Sequence, residues 1–204
     1  MHDFISRTRG DERDWTHKLR AMKVITLTKE TFPQACRQLA AKADVRPDVL
    51  VAIRTGGAYV GRELCETWGL TNEQYIEVEL QRPSTAAKRG LIAKVISKLP
   101  QWMADWLRVM EASALSWMPR GERHFEYNAE QLERLAKGSR VMVVDDAVDS
   151  GMTMAAVVKA TEAATGTVPA TAAIVVTCSN PAIQPDYSLY NNVLIRFPWS
   201  KDAR

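Results

Sequence analysis

Three short apolar runs dominate the hydrophobic pattern of the chain, and they are Val49–Ile53, Val141–Val144 and Ala172–Val176. Each run is rich in valine, isoleucine or alanine and is too short to form a buried helix. A strand that is apolar at every position is typical of a parallel sheet covered on both faces. The three runs therefore predict the central strands of such a sheet.

Helical patterns lie beside these strands. Apolar residues recur at helical spacing from Phe32 to Ala43, from Ala58 to Trp68 and from Thr153 to Ala164. Gly69 and Gly166 follow the last two segments, in the position where helices commonly end on glycine. The alternation of strand and helix predicts an α/β fold with helices on both faces of the sheet.

Two segments depart from this alternation. Residues 75–80 alternate between polar and apolar side chains, which predicts a half-exposed strand that is an edge strand or antiparallel. Residues 91–137 form a long insertion with an apolar stripe at helical spacing that includes three tryptophans. We interpret the stripe as core packing, with an aromatic ligand box as the alternative. Residues 1–22 show no period and are expected to be a flexible extension of a domain that spans 23–204.

The composition is that of an ordinary globular protein and excludes several classes. The chain has 204 residues, 46% hydrophobic and 25% charged, with a net charge of +3. The three cysteines form no Cys-x-x-Cys pair, which argues against a disulfide framework or a structural zinc site. We found no signal-peptide pattern and no apolar run near 18 residues, so we expect a cytoplasmic protein without a membrane partner. The small net charge also gives no indication of a nucleic-acid partner. Residues 81–100 nevertheless carry five basic side chains and no acid.

The stretch that follows the second apolar run carries the most chemistry. Asp145 and Asp146 come directly after the predicted strand, and residues 147–153 form a small, glycine-containing loop that opens a helix. Open α/β sheets bind ligands at the carboxyl ends of their strands. The hydroxyls of Ser150 and Thr153 and a helix N-terminus suit a phosphate, whereas the two acids suit sugar hydroxyls or a metal. A ribose 5-phosphate offers both parts.

This stretch resembles the phosphoribosyl-pyrophosphate (PRPP) binding motif of type I phosphoribosyltransferases, with a smaller residue than usual at Ala147. The resemblance implies that Asp145 and Asp146 bind the ribose hydroxyls and Mg²⁺, and that Asp149 contacts the acceptor base and acts as general base. The residues implied for the 5-phosphate are Ala147, Val148, Asp149, Ser150, Gly151, Met152 and Thr153.

Two further segments resemble parts of the same family. The turn after the first apolar run resembles the family's pyrophosphate loop, and its residues are Arg54, Thr55, Gly56 and Gly57. Residues 80–90 fall where family members have a mobile loop that closes over the substrate. Arg82, Lys88 and Arg89 would then neutralise the pyrophosphate, with a solvated basic loop as the alternative.

The C-terminal residues 193–199 resemble the tail of xanthine, guanine and hypoxanthine phosphoribosyltransferases. The residues implied for base binding are Leu194, Ile195 and Asn180. At two of these base-binding positions the sequence departs from the family pattern. Leu194 stands where the family places a stacking tryptophan, and Asn180 stands where a lysine that reads the purine is expected.

The resemblance implies a type I phosphoribosyltransferase-like fold, with a parallel sheet flanked by helices, a small hood and a helical insertion. It also implies Mg²⁺-dependent transfer of the phosphoribosyl group of PRPP to a purine-like base. The substrates would be PRPP and a nucleobase-like acceptor, and family members usually form homo-oligomers. Two alternatives stay open, a PRPP-binding regulator that has lost turnover and a transferase with a non-purine acceptor.

Overall fold

The computed structural model describes residues 23–80 and 124–200. The strands in these ranges are β1 Val24–Thr26, β2 Val49–Ile53, β3 Tyr75–Val78, β4 Val141–Val148, β5 Ala170–Val176, β6 Tyr187–Asn191 and β7 Leu194–Arg196. The helices are α1 Phe32–Lys42, α2 Gly56–Trp68, α3 Ala129–Leu135 and α4 Met152–Thr165, with a short 3₁₀ turn at Asn72–Gln74.

Five of the strands form one parallel sheet in the order β3-β2-β4-β5-β6. From β2 the chain passes through α2 to β3 on one side, and from β4 it passes through α4 to β5 on the other. The strand order therefore reverses between β2 and β4. Their carboxyl ends flank the crevice in which open α/β sheets place a ligand.

Alternate side chains of the central strands enter two separate cores. Leu50 and Met142 point to the face that α1 and α2 cover, whereas Val51 and Val143 point to the face that α4 covers. All four side chains are buried. Burial on both faces explains why the runs Val49–Ile53 and Val141–Val144 are apolar at every position.

The structure confirms the α/β fold and the three central strands, with changes in the bounds of two of them. β5 begins at Ala170, two residues before the predicted start at Ala172. β2 has the predicted bounds, and β3 is an edge strand that pairs parallel to β2. β4 is longer than the apolar run Val141–Val144 predicted and continues to Val148. Its pairing with β5 explains the difference, because Ala147 and Val148 stay in register with the last residues of β5.

A second, two-stranded parallel sheet joins β1 to β7 and lies with the α1 side of the core. The C-terminal residues after β7 return to the helices through aromatic contacts. Trp199 stacks on Tyr59 of α2 at a centroid distance of 4.4 Å, and Phe32 of α1 meets its edge at 5.0 Å. Trp199 therefore packs the C-terminal tail onto α1 and α2.

Part of the predicted insertion lies in the described ranges and packs on the sheet. α3 falls within residues 91–137, and its Leu135 is buried in the core that α4 covers. Residues 1–22 and the tryptophan stripe of the insertion lie outside the described residues. In 23–80 and 124–200, no helix is long and apolar enough to cross a membrane.

Asp48 ties the start of β2 to the start of β4. Its carboxylate accepts hydrogen bonds from the backbone N–H groups of Ser139 and Arg140, and Arg140 Nη2 donates to it at 2.7 Å. The Arg140 side chain, followed by its backbone N–H, holds the pKa of Asp48 well below the usual range of an aspartate.

We predict that Asp48→Asn lowers the melting temperature at pH 7. Because the pKa of Asp48 is lower in the folded protein, the stability it contributes is present above its unfolded pKa of about 3.9 and is lost as the pH falls through the folded value. The difference in melting temperature between Asp48→Asn and the wild type should therefore become smaller below about pH 4. Thermal melts from pH 7 to pH 3 test this, with the exposed Asp44→Asn as control. A difference that stays constant over that range would contradict the prediction.

Candidate active site

The turn after β2 packs directly against the end of β4. A Cβ on Gly57 would lie 2.9 Å from both the Asp145 Cα and the Val144 carbonyl oxygen. A Cβ on Gly56 would overlap the carboxylate of Asp146. A side chain at Gly57 would push the turn away from the strand backbone, and one at Gly56 would displace the Asp146 carboxylate. The double glycine therefore lets the N-terminus of α2 touch the two acids.

Asp145 and Asp146 form a half-buried pair of carboxyl groups. Burial raises the pKa of Asp145 well above its usual range, and the neighbouring negative charge of Asp146 raises it further. Burial also raises the pKa of Asp146. The structure gives the pair no salt bridge within the described ranges. Two adjacent half-buried carboxyl groups that pair with no described basic side chain form a site that a bound cation would stabilise.

The turn between β4 and α4 presents backbone groups at the same edge. Gly151 has a positive φ of 73° and caps α4. The first turn of a helix leaves N–H groups without intrahelical partners, and these can bind an anion. The structure corrects the predicted extent of this loop, because Ala147 and Val148 belong to β4 and the Val148 side chain is buried. The part of the predicted phosphate loop that lies at the turn and the first turn of α4 is residues 149–153.

Asp149 lies at the start of this turn and is exposed. Its Oδ1 accepts a hydrogen bond from the hydroxyl of Thr177, which directly follows β5. The loop after β5 also supports the turn through its backbone, since the Ala182 N–H donates to the Ser150 carbonyl at 2.8 Å. Two loops at the carboxyl end of the sheet therefore hold each other.

The side chain of Arg54 turns toward the edge strand. Its Nε lies 3.6 Å from Glu77 Oε2, and its Nη1 lies 3.7 Å from Glu79 Oε2. Glu77 also accepts a 2.8 Å hydrogen bond from Arg62 of α2. The Arg54 backbone N–H donates to the Val78 carbonyl, and the peptide bond after Arg54 is cis. The structure thus fixes Arg54 at the start of the turn and places its charge beside two acids.

The residues predicted for the base lie on two separate segments. Leu194 and Ile195 belong to β7, and the Leu194 N–H donates to the Lys23 carbonyl. Asn180 is exposed in the loop after β5. The predicted pyrophosphate ligands Arg82, Lys88 and Arg89 lie outside the described residues.

Sequence reasoning missed Thr177 and the acids Glu77 and Glu79. Thr177 carries no motif of its own, but it follows the strand next to β4 in the sheet. Residues after neighbouring parallel strands lie side by side, so the order of the strands could have directed attention to Thr177. Glu77 and Glu79 were recognised only as the polar half of an alternating strand.

Comparisons with known proteins bear on the family and the fold of the chain. A family model described as phosphoribosyl transferase domain matches residues 26–190. One similar solved structure is a purine phosphoribosyltransferase from Pyrococcus horikoshii, with 18% identity over 88% of this chain and 96% of that chain and a TM-score of 0.54. Another is a xanthine-guanine-hypoxanthine phosphoribosyltransferase from Helicobacter pylori, with 18% identity over 88% of this chain and 95% of that chain and a TM-score of 0.54.

A third similar structure is a protein from Neisseria gonorrhoeae with bound ppGpp. It is 18% identical over 89% of this chain and 92% of that chain, with a TM-score of 0.51. These three likenesses establish the fold. A comparison with curated protein sequences found no match.

We predict that Gly57→Ala destabilises the protein by about 1–3 kcal/mol, the usual cost of inserting a methyl group into packed backbone. Gly56→Ala should cost less, because only the side chain of Asp146 has to move. Both glycines lie in the first turn of a helix. Alanine is intrinsically favoured over glycine in a helix by about 1 kcal/mol, and this gain offsets part of the cost of each substitution. Urea unfolding of the two variants measures the difference. A Gly57→Ala protein as stable as wild type would show that the turn and β4 are not in close contact.

Proposed function

Since the chain belongs to the phosphoribosyl transferase domain family, we propose that it is a Mg²⁺-dependent transferase that moves the 5-phosphoribosyl group of PRPP to a purine-like base and releases pyrophosphate. The observation that carries this proposal is the contact of Gly56 and Gly57 with Asp146 and Asp145. It joins a turn suited to a polyphosphate to a pair of acids suited to ribose hydroxyls and a cation. PRPP has all of these groups around one sugar ring.

The roles of the residues follow from the charges that the reaction develops. As the bond between ribose C1 and pyrophosphate breaks, the ring gains positive charge and the leaving group gains negative charge. We assign Asp145 and Asp146 to the ribose hydroxyls, and residues 149–153 to the 5-phosphate. The N–H groups of Thr55, Gly56 and Gly57 would hold the pyrophosphate as it leaves, with Arg54 at the start of this turn.

The acid pair fits Mg²⁺ in the form that this ion usually takes at phosphate sites. Mg²⁺ commonly binds through one or two carboxylates together with substrate phosphates, and keeps several waters. Consistently, no group of three or more His, Cys, Asp or Glu side chains in the described ranges could hold a metal alone. Asp145 and Asp146 would therefore bind Mg²⁺ together with PRPP, and the ion would offset the negative charge of the leaving pyrophosphate.

Asp149 is assigned as the general base. The acceptor nitrogen must lose a proton as its bond to C1 forms, and a carboxylate at the turn beside the acids can accept that proton. Asp145 and Asp146 would be engaged by the ribose and by Mg²⁺. Asp149 is exposed and its Oδ2 has no hydrogen-bond partner among the described residues, so it is available for this role.

The acceptor we propose is an oxopurine, which would give the protein a place in purine salvage. The support is the likeness to the Helicobacter pylori xanthine-guanine-hypoxanthine phosphoribosyltransferase. Leu194 and Ile195 would contact the base, with Asn180 in place of a lysine. Arg82, Lys88 and Arg89 stay a prediction from the sequence, as further ligands of the pyrophosphate.

A second candidate is a nucleotide-binding regulator with the same fold. It is favoured by Leu194, which offers no aromatic ring for stacking, and by the ppGpp that is bound to the similar Neisseria gonorrhoeae protein. Such a protein would use the phosphate-binding turns and the acid pair without turnover. A transferase with a non-purine acceptor is the remaining alternative.

Three further points stay predictions, of which the homo-oligomer comes from the family resemblance and the other two from the sequence pattern. We propose that residues 23–204 form one domain, with residues 1–22 as an extension and residues 91–137 as an insertion. We also propose a homo-oligomer and a cytoplasmic location.

The proposed activity predicts that the full chain releases pyrophosphate from PRPP and Mg²⁺ in the presence of one oxopurine. The assay uses hypoxanthine, guanine and xanthine, with adenine, uracil and orotate as further acceptors. Release with uracil or orotate alone would favour the non-purine alternative. PRPP or ppGpp binding without release for any base would contradict the transferase and support the regulator.

We predict that Asp149→Asn loses transfer by about 100-fold or more, the usual contribution of a general base. Binding of PRPP should change little, because asparagine keeps the shape of the side chain and can still accept the Thr177 hydrogen bond. Single-turnover transfer and a PRPP titration measure the two effects. The control is Asp44→Asn, because Asp44 lies just after α1 and far from Asp149 in the sequence. Full activity of Asp149→Asn would exclude Asp149 as the base.

A further inference from the structure

Thr177 makes a polar contact to Asp149 that the roles assigned above do not include. Its hydroxyl bonds to Asp149 Oδ1. An ionised carboxylate is an acceptor only, so the hydrogen of this bond comes from Thr177. The β-branched side chain of threonine has few χ1 rotamers, so its hydroxyl is a well-defined anchor for the carboxylate.

The backbone around this contact is held independently of the Thr177 side chain. The Thr177 N–H donates to the Val148 carbonyl at 3.0 Å, and the Ala182 N–H donates to the Ser150 carbonyl. A Cβ on Gly151 would lie 2.8 Å from the Ile183 nitrogen, so the two loops also touch there. The turn would therefore keep its path without the hydroxyl, and only the Asp149 carboxylate would lose a contact.

We propose that Thr177 is a positioning residue for the transfer reaction, which orients the Asp149 carboxylate so that Oδ2 faces the acceptor. This inference rests on the proposed function, since it assumes that Asp149 takes a proton. Asp149 is exposed at the start of a turn and can rotate about two side-chain bonds. A base that rotates freely spends little time in reach of the acceptor proton, and the anchored Oδ1 limits this rotation.

The test compares two substitutions of Thr177. Thr177→Val keeps the branched shape and the backbone N–H but removes the hydroxyl, whereas Thr177→Ser keeps the hydroxyl. Thr67→Val is the matched control, because the Thr67 hydroxyl also makes a hydrogen bond, to the Glu63 carbonyl near the end of α2. Each full-length variant is assayed with PRPP, Mg²⁺ and the base that wild type accepts.

We expect Thr177→Val to lower the single-turnover rate by about 10-fold or more, which corresponds to the free energy of one hydrogen bond to a charged group. The PRPP dissociation constant and the melting temperature should stay near the wild-type values, and Thr177→Ser should recover most of the rate. In the double variant with Asp149→Asn, Thr177→Val should cause no further loss, because both changes act on one group.

Three results would overturn the inference. A wild-type rate in Thr177→Val, while Asp149→Asn is inactive, would reject the role of Thr177 and leave the proposed transferase intact. Equal losses of rate, PRPP binding and stability in Thr177→Val would assign Thr177 a purely structural part. A wild-type protein that transfers to no base would reject the proposed function, and the role of Thr177 with it.

Discussion

The contact between the turn after β2 and the end of β4 is the constraint on which the site depends. It exists because positions 56 and 57 carry no side chains, so the N-terminus of α2 can approach Asp145 and Asp146. Helix N-termini attract anions, and half-buried acids attract cations. The two next to each other suit a ligand that carries negative groups and a metal ion together. A ligand with only one of these would leave the other part of the site unsatisfied.

The surrounding structure supports this contact from both sides. On the β3 side, Glu77 holds Arg54 and Arg62, which lie before and within α2. On the β5 side, the loop from Thr177 to Ile183 fixes the turn that begins with Asp149. Half-buried carboxyl groups with raised pKa values destabilise a fold unless a partner offsets them. The sheet, with its apolar strands on both faces, supplies the stability that permits the pair.

Much of the fold could be predicted because its signals are local. The uninterrupted apolar run Val49–Ile53 predicted a strand covered on both faces, and the structure has the same bounds. β4 was predicted too short because Asp145 and Asp146 are polar, although Asp145, Ala147 and Val148 continue the pairing with β5. Polarity there marked the proposed ligand site rather than the end of the strand. In the same way, the alternation in β3 revealed an exposed edge but not its direction.

The details of the site depend on contacts between distant segments, and the sequence alone did not predict them. The Thr177 hydroxyl reaches Asp149 across 28 positions of the chain. Arg54 belongs to the turn predicted to bind pyrophosphate, and the sequence did not indicate that its side chain lies beside Glu77 and Glu79. Trp199 belongs to a tail recognised by its resemblance to purine enzymes, and its observed partners are Phe32 and Tyr59. Such pairs follow from the order of the strands and the packing of the helices.

The central claim is that Asp145 and Asp146 bind PRPP together with a cation. Calorimetric titration of the full chain with PRPP, in Mg²⁺ and then in EDTA, tests it most directly. The account predicts saturable binding in Mg²⁺ and a loss of roughly tenfold or more in affinity without the ion, because the half-buried acids would then face the phosphates unscreened. Equal affinity in Mg²⁺ and in EDTA would contradict it.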